Sequence, residues 1–403
     1  MPTAVIVDAV RTPGGKRNGA LSGWHPADLA AETLKALVER NNLDPALVDD
    51  VIMGCVMQAG AQGLNVGRNA VLGAGFPESV PATTIDRQCG SSQQSAHFAA
   101  QGVIAGAYDV VIAAGVEVMS LVPMGASIGS GIGFPFGDQA IARYRDVELI
   151  EGHKGLIGQG ISAEVIANEW GLSREDLDAF GAESQARAER AANEGRFDNE
   201  LVAVAKKIRD KETGEVKVLD EIHNRDEGIR PGTSAESLAN LKPAFLPDGK
   251  VTAGNSSQIC DGASAALIMS EEKAKQLGLT PRARFHTFAL AGVDPVRMLT
   301  GPIPSTQKVL AKAGLTVDDI DLFEVNEAFA SVVLAWQKDL KSDLGKTNVN
   351  GGAIALGHPL GGSGTKLLAT LLNELERTGG RYGLQTMCEG GGMANATIIE
   401  RLG

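Results

Sequence analysis

The chain carries the same series of secondary-structure patterns twice, and this repetition limits the possible folds more than any other feature. Residues 36–54 and 309–325 each predict a helix, a short acidic link and a strand. Residues 83–106 and 348–375 each predict a strand, a sharp turn and a helix. Several matches in the same order indicate an internal duplication, and strands that alternate with helices are typical of α/β layers. The sequence therefore predicts an α/β fold with two related halves.

A segment of different composition separates the two halves. Residues 121–250 are more polar than the rest of the chain, and we predict that they form an insertion outside the central layers. The N-terminal half then comprises residues 1–120 and is completed by about 251–275. The C-terminal half comprises residues 276–403.

Three stretches in and beside the insertion carry predictions of their own. Residues 162–197 have a charged helical pattern, in which Ser173–Asp176 matches a capping box. Residues 206–226 are dense in charge and predict an exposed hairpin or loop. The uncharged stretch 118–137 is long enough to span a bilayer, but its two prolines and five glycines favour a buried glycine-rich segment.

Composition excludes several classes of protein. The 403 residues carry a net charge of -12 at pH 7, whereas nucleic-acid binding needs a basic patch. The four cysteines lie far apart without a CxxC pair, which argues against a disulfide scaffold or a zinc ribbon. The first residues predict a strand rather than a signal peptide. We therefore expect a cytoplasmic protein with no nucleic-acid or membrane partner.

Cys89 is the first candidate for chemistry, because it follows a strand pattern and precedes a helix predicted over Ser91–Ile104. At a helix N-terminus, the macrodipole and the free N–H groups stabilise a thiolate and could hold an oxyanion. The alternative is a small buried side chain, which is the usual state of a free cysteine. Cys55 and Cys260 have no glycine-rich turn or histidine beside them and are assigned to packing.

His358 is the second candidate and lies in the glycine-rich turn Gly351–Gly364. Glycines let the backbone approach a ligand closely, and Pro359 restricts the histidine to an extended or turn conformation. A helix is predicted from about Ser363. The turn does not match the phosphate-binding pattern GxxxxGK[ST], so we interpret His358 as catalytic rather than as a plain turn residue.

Two further candidates lie at strand ends. Cys388 follows a strand at 384–387 and precedes three glycines, whose N–H groups can point at a ligand oxygen. Asn326 ends the strand Leu322–Val325 and, taken alone, is better suited to cap a following helix. In open α/β sheets, ligands gather at the carboxyl ends of strands.

Two thiols and a histidine at such a sheet edge could perform acyl transfer with cleavage of a carbon–carbon bond. One thiolate would attack a ketone carbonyl, and the other thiol would handle the proton of the leaving enolate. No set of His, Cys and carboxylate residues has metal-ligand spacing, so we expect no metal.

These residues resemble the thiolase family, over essentially the whole chain. The matching pieces are Cys89 with Ser91, AsnGluAlaPhe at 326–329, GlyHisPro at 357–359, CysGluGlyGlyGlyMet at 388–393, AlaValArgThrPro at 9–13 and AlaGlyAsnSerSer at 253–257. The resemblance implies two βαβαβ-type halves in α-β-α-β-α layers, with a loop domain at 121–250 that helps bind coenzyme A. It also implies a homodimer or homotetramer, with coenzyme A as co-substrate and no permanently bound cofactor.

The resemblance also assigns roles. Cys89 would be the nucleophile that takes up the acyl group, and His358 would activate it. Cys388 would be the acid/base at the α-carbon. Asn326 would hold a water in an oxyanion hole shared with His358. The N–H groups of Cys89 and Gly390 would form a second oxyanion hole.

Arg230 and Ser257 resemble the coenzyme A contacts of the family. The implied reaction is coenzyme A-dependent cleavage of a 3-ketoacyl-CoA to acetyl-CoA and a shortened acyl-CoA, in fatty-acid or steroid side-chain β-oxidation. Three alternatives remain open. They are an acetyltransferase specific for acetoacetyl-CoA, a non-catalytic acyl-CoA-binding protein, and a ketosynthase, which generally has two histidines where this chain has Asn326 and Cys388.

Some residues depart from the family pattern. Ser-Ser-Gln at 91–93 replaces Ser-Gly-Leu, and Asp86 stands where Asn is common. Gly158 replaces a coenzyme-contacting His of biosynthetic enzymes, and Glu389 replaces a small residue. Residues 89–94 are similar to actinobacterial thiolases that degrade fatty acids and steroid side chains. We therefore expect a more open pocket, for a longer or bulkier acyl chain.

Overall fold

The computed structural model describes residues 2–129 and 133–403. The first part of the chain forms β1 (Ala4–Arg11), β2 (Gly15–Lys16), α1 (Pro26–Arg40), β3 (Asp50–Gly54), α2 (Val66–Gly73), β4 (Ala82–Ile85), α3 (Ser91–Ile104) and β5 (Val110–Val118). The middle part forms α4 (Asp138–Tyr144), β6 (Glu148–Ile150), β7 (His153–Lys154), α5 (Gln159–Glu169), α6 (Arg174–Asn193), β8 (Val204–Arg209), β9 (Val216–His223) and α7 (Ala235–Ala239).

The last part forms β10 (Cys260–Ser270), α8 (Glu271–Gln276), β11 (Ala283–Gly292), α9 (Pro302–Ala313), β12 (Leu322–Val325), α10 (Ala330–Leu340), α11 (Ala353–Leu356), α12 (Ser363–Thr378), β13 (Tyr382–Glu389) and β14 (Met393–Arg401). Short 3₁₀ helices lie at Pro45–Leu47, Gly60–Gln62, Val317–Asp319, Leu344–Lys346 and Leu360–Gly362.

The strand order repeats between the halves. Hydrogen bonding orders the strands as β4-β3-β5-β10-β1 in the N-terminal half and as β12-β13-β14-β11 in the C-terminal half. Thr347 pairs in parallel with Phe323 of β12, at the place that β4 takes in the first half. The two halves meet where β1 pairs antiparallel with β11, through Val5–Arg284 and Ile6–Ala283. The predicted pair of related α/β halves is therefore confirmed.

The duplication extends to single hydrogen bonds. One carboxylate oxygen of Asp49 accepts the amides of Asp109 and Val110, at 2.7 and 2.9 Å. One carboxylate oxygen of Asp321 accepts the amides of Arg381 and Tyr382, again at 2.7 and 2.9 Å. Each aspartate belongs to the short acidic link before a strand, and it fixes the start of the parallel strand beside it.

Five layers follow from the apolar clusters. Helices α1 and α2 cover the outer face of the N-terminal strands, and α9 and α10 cover the outer face of the C-terminal strands. Helices α3 and α12 pack between the strands of both halves. This is the α-β-α-β-α arrangement, with two helices buried at its centre.

The backbones of the two central helices are so close that no side chain fits between them. A Cβ atom added at Gly364, in the first turn of α12, would lie 2.0 Å from the amide nitrogen of Gln93 in α3. A Cβ atom added at Gly115 of β5 would lie 2.1 Å from the carbonyl oxygen of Gly361. Glycine is required at both positions because backbone, which cannot move aside, occupies the space.

The middle part of the chain is anchored to both halves by a buried ionic cluster. Arg11 of β1 is paired with Glu200 at 2.5 Å and with Asp226 at 2.8 Å. Thr370 of α12 donates to the same Glu200 at 2.9 Å. Because removal of one partner leaves an uncompensated buried charge, this cluster fixes where the middle part attaches.

Several expectations for local structure in the middle part are confirmed. The assignment of residues 121–250 as a separate insertion remains a prediction. Strands β8 and β9 pair as a hairpin, in which β9 is mostly exposed and β8 mostly half-buried. Ser173 and Asp176 form the capping box of α6. The helical pattern over 162–197 covers two helices, α5 and α6.

The prediction of a buried segment at 118–137 is wrong for most of its described residues. Met124, Ile128, Phe134 and Phe136 are exposed, because this stretch leaves the end of β5 and runs along the surface; residues 130–132 lie outside the described part. In the described residues, no helix is long and apolar enough to cross a membrane.

We predict that Gly364→Ala lowers the free energy of unfolding by about 3 kcal/mol or more, because the added methyl group forces α12 away from α3. Urea unfolding checks this. Gly73→Ala is the matched control, since its Cβ would have ordinary contacts at 3.6 and 3.7 Å and should change stability by less than about 1 kcal/mol. Equal, small effects of the two substitutions would contradict the close contact of the central helices.

Candidate active site

Cys89 lies in a strained turn between β4 and α3. The preceding residue, Gln88, has a left-handed backbone with φ of 48°, which is uncommon for a residue with a side chain. The Gln88 amide donates to the Asp86 carboxylate at 2.6 Å, and Ser91 Oγ donates to the Gln88 carbonyl at 2.6 Å. Asp86 and Ser91 therefore hold the turn that presents the thiol.

The thiol of Cys89 is neutral in this structure. Burial raises the pKa of Cys89 to about 12, and the charge of Glu389 acts in the same direction. Hydrogen bonds from the Gln159 side chain and from the amides of Cys89 and Gly390 favour the thiolate but do not outweigh burial. The amides at this turn thus favour the thiolate in the expected direction, but desolvation has the larger effect on the pKa of Cys89.

Cys388 lies beside Cys89. It is fully buried near the end of β13. Burial raises the pKa of Cys388, and the charges of Cys89 and Glu389 raise it further. The two thiols are near enough that a negative charge on Cys89 disfavours one on Cys388.

His358 is held in one tautomer. Ser363 Oγ has a single hydrogen, which it donates to the carbonyl of Pro359 at 2.8 Å. The same oxygen must therefore accept from Nδ1–H of His358, at 2.5 Å. This leaves Nε2 with its lone pair, 3.4 Å from Nδ2 of Asn326. Burial, with the positive charge of Lys366, lowers the pKa of His358 to about 3, so the imidazole is neutral and available as a base.

Asn326 is a site residue and not a helix cap. Its side chain is buried and reaches Nε2 of His358. Helix α10 begins only at Ala330, with Phe329 at its N-cap position. The capping interpretation is wrong because the four residues 326–329 separate the strand from the helix, and Asn326 is the first of them.

Three of the segments converge on one apolar cluster. Cys89 packs there with Leu360, two residues after His358, and with Met387, the residue before Cys388. Val56, Met57, Met119, Val122 and Leu367 complete its buried core. The arrangement combines a nucleophilic thiol, a neutral base, a second thiol and two amide N–H donors in an apolar setting, which suits acyl transfer.

The two residues predicted to contact coenzyme A lie at the edge of this region. Ser257 is half-buried, and its amide donates to the Ala328 carbonyl at 2.9 Å. Arg230 is exposed, and its amide donates to Gln185 Oε1 at 2.8 Å. The structure places Ser257 next to the Asn326 turn, whereas no contact joins the Arg230 side chain to the thiols.

Four residues with a part in the site were missed by sequence reasoning. Ser363 fixes the histidine tautomer, and Gln159 contacts the nucleophile. Gln258 accepts the His358 amide at 3.1 Å through its carbonyl and binds Ile354 through its side chain. Glu389 departs from the family pattern, but the sequence alone gives it no role. Gln159, Gln258 and Glu389 act through contacts with residues distant in the sequence or through their burial, which local pattern does not reveal. Ser363 is different, because it follows His358 by only five residues and its spacing can be seen in the sequence.

In the described part of the chain, no group of three or more His, Cys, Asp or Glu side chains is arranged to hold a metal ion.

The fold and the site define an acyl-transferring thiol enzyme, and comparisons with known proteins identify the family. Residues 4–272 match the thiolase N-terminal domain, and residues 279–401 match the thiolase C-terminal domain. The chain belongs to the thiolase family, which is a family of acyltransferases.

The chain is similar to relatives of two kinds. It is 50% identical to the steroid 3-ketoacyl-CoA thiolase FadA6 of Mycobacterium tuberculosis, over 100% of this chain and 95% of that protein. It is 46% identical to the 3-ketoacyl-CoA thiolase of Aliivibrio salmonicida, over 100% of both chains. A solved structure, the acetyl-CoA acetyltransferase of Bacillus anthracis, has a TM-score of 0.86 at 39% identity and covers 100% of this chain and 99% of its own.

We predict that Ser363→Ala slows alkylation of Cys89 by iodoacetamide about tenfold, because the histidine loses the acceptor that keeps its proton on Nδ1. The rate is measured at pH 7.5 by mass spectrometry of the Cys89 peptide. Ser363→Thr keeps the hydroxyl group and should retain most of the rate. Wild-type reactivity in the alanine variant would contradict the assigned role of Ser363.

Proposed function

We propose that this protein is a degradative thiolase, which cleaves a 3-ketoacyl-CoA with coenzyme A to give acetyl-CoA and a shortened acyl-CoA. The observation that carries the proposal is the thiol of Cys89 with the amides of Cys89 and Gly390 directed at it. A carbon bonded to that sulfur would place its oxygen near both N–H groups, as a tetrahedral intermediate requires. The similarity to 3-ketoacyl-CoA thiolases supports the same reaction.

The first half-reaction would start with proton transfer from Cys89 to Nε2 of His358. The sulfur attacks C3 of the substrate, and the resulting oxyanion takes hydrogen bonds from the two amides. The C2–C3 bond then breaks, which leaves the acyl group on Cys89 as a thioester. The departing enolate of acetyl-CoA takes a proton from the Cys388 thiol. Protonated His358, with a water held by Asn326, would stabilise the enolate oxygen.

The second half-reaction would regenerate the enzyme. The Cys388 thiolate removes the proton from the thiol of coenzyme A, whose sulfur attacks the thioester. The shortened acyl-CoA leaves as the Cys89 sulfur takes its proton back from His358. Since each step is reversible, the same groups could run the Claisen condensation.

We infer that coenzyme A is held partly by the middle part of the chain. Arg230 would bind the nucleotide phosphates, for which a guanidinium is well suited. Ser257, whose amide donates to the Ala328 carbonyl close to Asn326, would contact the pantetheine arm.

We infer that the acyl substrate is long or bulky. The cluster around Cys89 contains flexible Met57, Met119 and Met387, which adapt to varied apolar shapes. Gly158, at the N-cap of α5, has no side chain to narrow the space beside Gln159. The relative named as a steroid 3-ketoacyl-CoA thiolase favours a steroid-derived or fatty acyl chain in β-oxidation.

We further propose a homodimer or homotetramer that works in the cytoplasm. Strand β4 lies at the edge of the sheet and so offers backbone for pairing. Nearby Leu64 is 94% exposed. Four free cysteines suit a reducing compartment. Light scattering after size-exclusion chromatography measures the number of subunits.

We expect Cys89→Ala to lower coenzyme A-dependent cleavage of a medium-chain 3-ketoacyl-CoA by at least about a thousandfold. Loss of the substrate's absorbance is followed with and without coenzyme A. Cys55→Ala is the matched control, because Cys55 lies against Glu117 and takes no part in the chemistry. Absence of cleavage by the folded wild-type protein, with retained acyl-CoA binding, would favour the non-catalytic alternative.

We expect kcat/KM to be higher for steroid-derived or medium-chain 3-ketoacyl-CoA esters than for acetoacetyl-CoA, since burying each added methylene contributes about 0.8 kcal/mol. Kinetics with an ester series under one set of conditions tests this. Activity on acetoacetyl-CoA alone would instead identify an acetyltransferase specific for that substrate.

A further inference from the structure

Glu389 is an unusual neighbour for two catalytic thiols. It follows Cys388 at the end of β13 and is completely buried. In the described part of the chain, neither of its carboxyl oxygens has a hydrogen-bond partner. A buried carboxylate without partners is costly, and such a group avoids the cost by keeping its proton.

The carboxyl group lies against the backbone that carries the nucleophile. A Cβ atom added at Gly90, the residue after Cys89, would lie 2.1 Å from Oε1 of Glu389 and 2.8 Å from Nδ2 of Asn395. That Asn395 nitrogen donates to the Gly90 carbonyl at 3.0 Å. Glu389 is thus held over the N-cap position of α3, where its charge state acts on Cys89 at short range.

The charged and titratable groups that face Glu389 are few. Asp86 and Arg87 come from the turn before Cys89, and their charges act in opposite directions. Among the described residues, the charge of Glu389 also acts on the thiols of Cys89 and Cys388. Burial, opposed by the charge of Arg87 and assisted by that of Asp86, raises the pKa of Glu389 to about 8. The group is therefore neutral at pH 7 and ionises in mildly alkaline solution.

We propose that Glu389 is a positioning residue whose proton controls both thiols. As a carboxylate it disfavours a thiolate at Cys89 and at Cys388, and as a neutral acid it adds no charge to the effect of burial. This inference rests on the proposed roles of the two cysteines. It assigns the alkaline limit of the reaction to ionisation of this buried carboxyl group, which lowers the reactivity of Cys89 relative to a variant that cannot ionise.

The test is the pH dependence of Cys89 alkylation by iodoacetamide, which needs no turnover. Glu389→Gln keeps the shape of the neutral acid and cannot ionise. We expect the ratio of its rate to that of the wild type to be near one at pH 6.5 and to reach roughly tenfold at pH 9.5, the effect of one nearby charge in a partly buried site. In the wild type, ionisation of Glu389 should make the plot of alkylation rate against pH bend downward. Glu389→Asp retains an ionisable group and should show the same bend.

Glu376→Gln is the charge-matched control, since Glu376 is exposed on α12 and paired with Arg282. Its profile should follow the wild type. A constant ratio between Glu389→Gln and wild type from pH 6.5 to 9.5 would overturn the proposal. A pH profile of Cys89 alkylation without the downward bend in Glu389→Asp would also overturn it. If thiolysis fails but the bend is present, the proposed function is wrong and the role of Glu389 stands.

Unfolding provides a second measurement that does not involve the thiols. A carboxyl group with a raised pKa stabilises the fold at low pH, and this contribution is lost as the pH rises through the folded-state value. The stability of the wild type relative to Glu389→Gln should therefore fall between about pH 5 and pH 8 and stay level above it. A difference that does not change over this range would show that Glu389 is already ionised, against the proposal.

Discussion

The crossing of α3 and α12 sets the position of nearly everything else in the active site. Both helices carry reactive residues just before their first turns, and the contact between Gly364 and Gln93 lies in those same turns. The Thr365 amide adds a hydrogen bond to Ser92 Oγ at 3.0 Å. Since rigid backbone meets rigid backbone here, the turns that carry Cys89 and His358 have one relative placement. Catalysis of this kind depends on such positioning, because small displacements of reacting groups greatly slow the reaction.

Burial then decides the charge state of the site. Desolvation raises the pKa of Cys89 to about 12 and lowers that of His358 to about 3. The free site therefore holds a thiol and a neutral imidazole rather than an ion pair. A negative charge becomes favourable only when it moves to an oxygen that the amides of Cys89 and Gly390 can bind. In the proposed mechanism, proton transfer from Cys89 would therefore accompany bond formation to the acyl carbon.

The sequence could predict what depends on local pattern. The duplicated acidic links were visible, and Asp49 and Asp321 make the same pair of hydrogen bonds. The helix at Ser91–Ile104 and the strand at Leu322–Val325 have the predicted bounds. Local pattern gave no correct prediction where tertiary contacts determine the role or the charge state of a residue. Asn326 looks like a cap, but its side chain turns to His358, and the charge state of Cys89 depends on burial and on Glu389, which no spacing reveals.

The middle part of the chain influences the histidine through two buried cations, Arg11 and Lys366. Its Asp226 and Glu200 neutralise Arg11, and the two carboxylates also attract buried Lys366. Lys366 donates to the carbonyls of Leu356 and Gly357, at 2.9 and 2.7 Å, and so holds the backbone that leads into His358. The same ammonium helps to lower the pKa of His358. A buried cation is stable beside an imidazole only if acidic groups compensate it, so docking of the middle part is a condition for a neutral, correctly placed base.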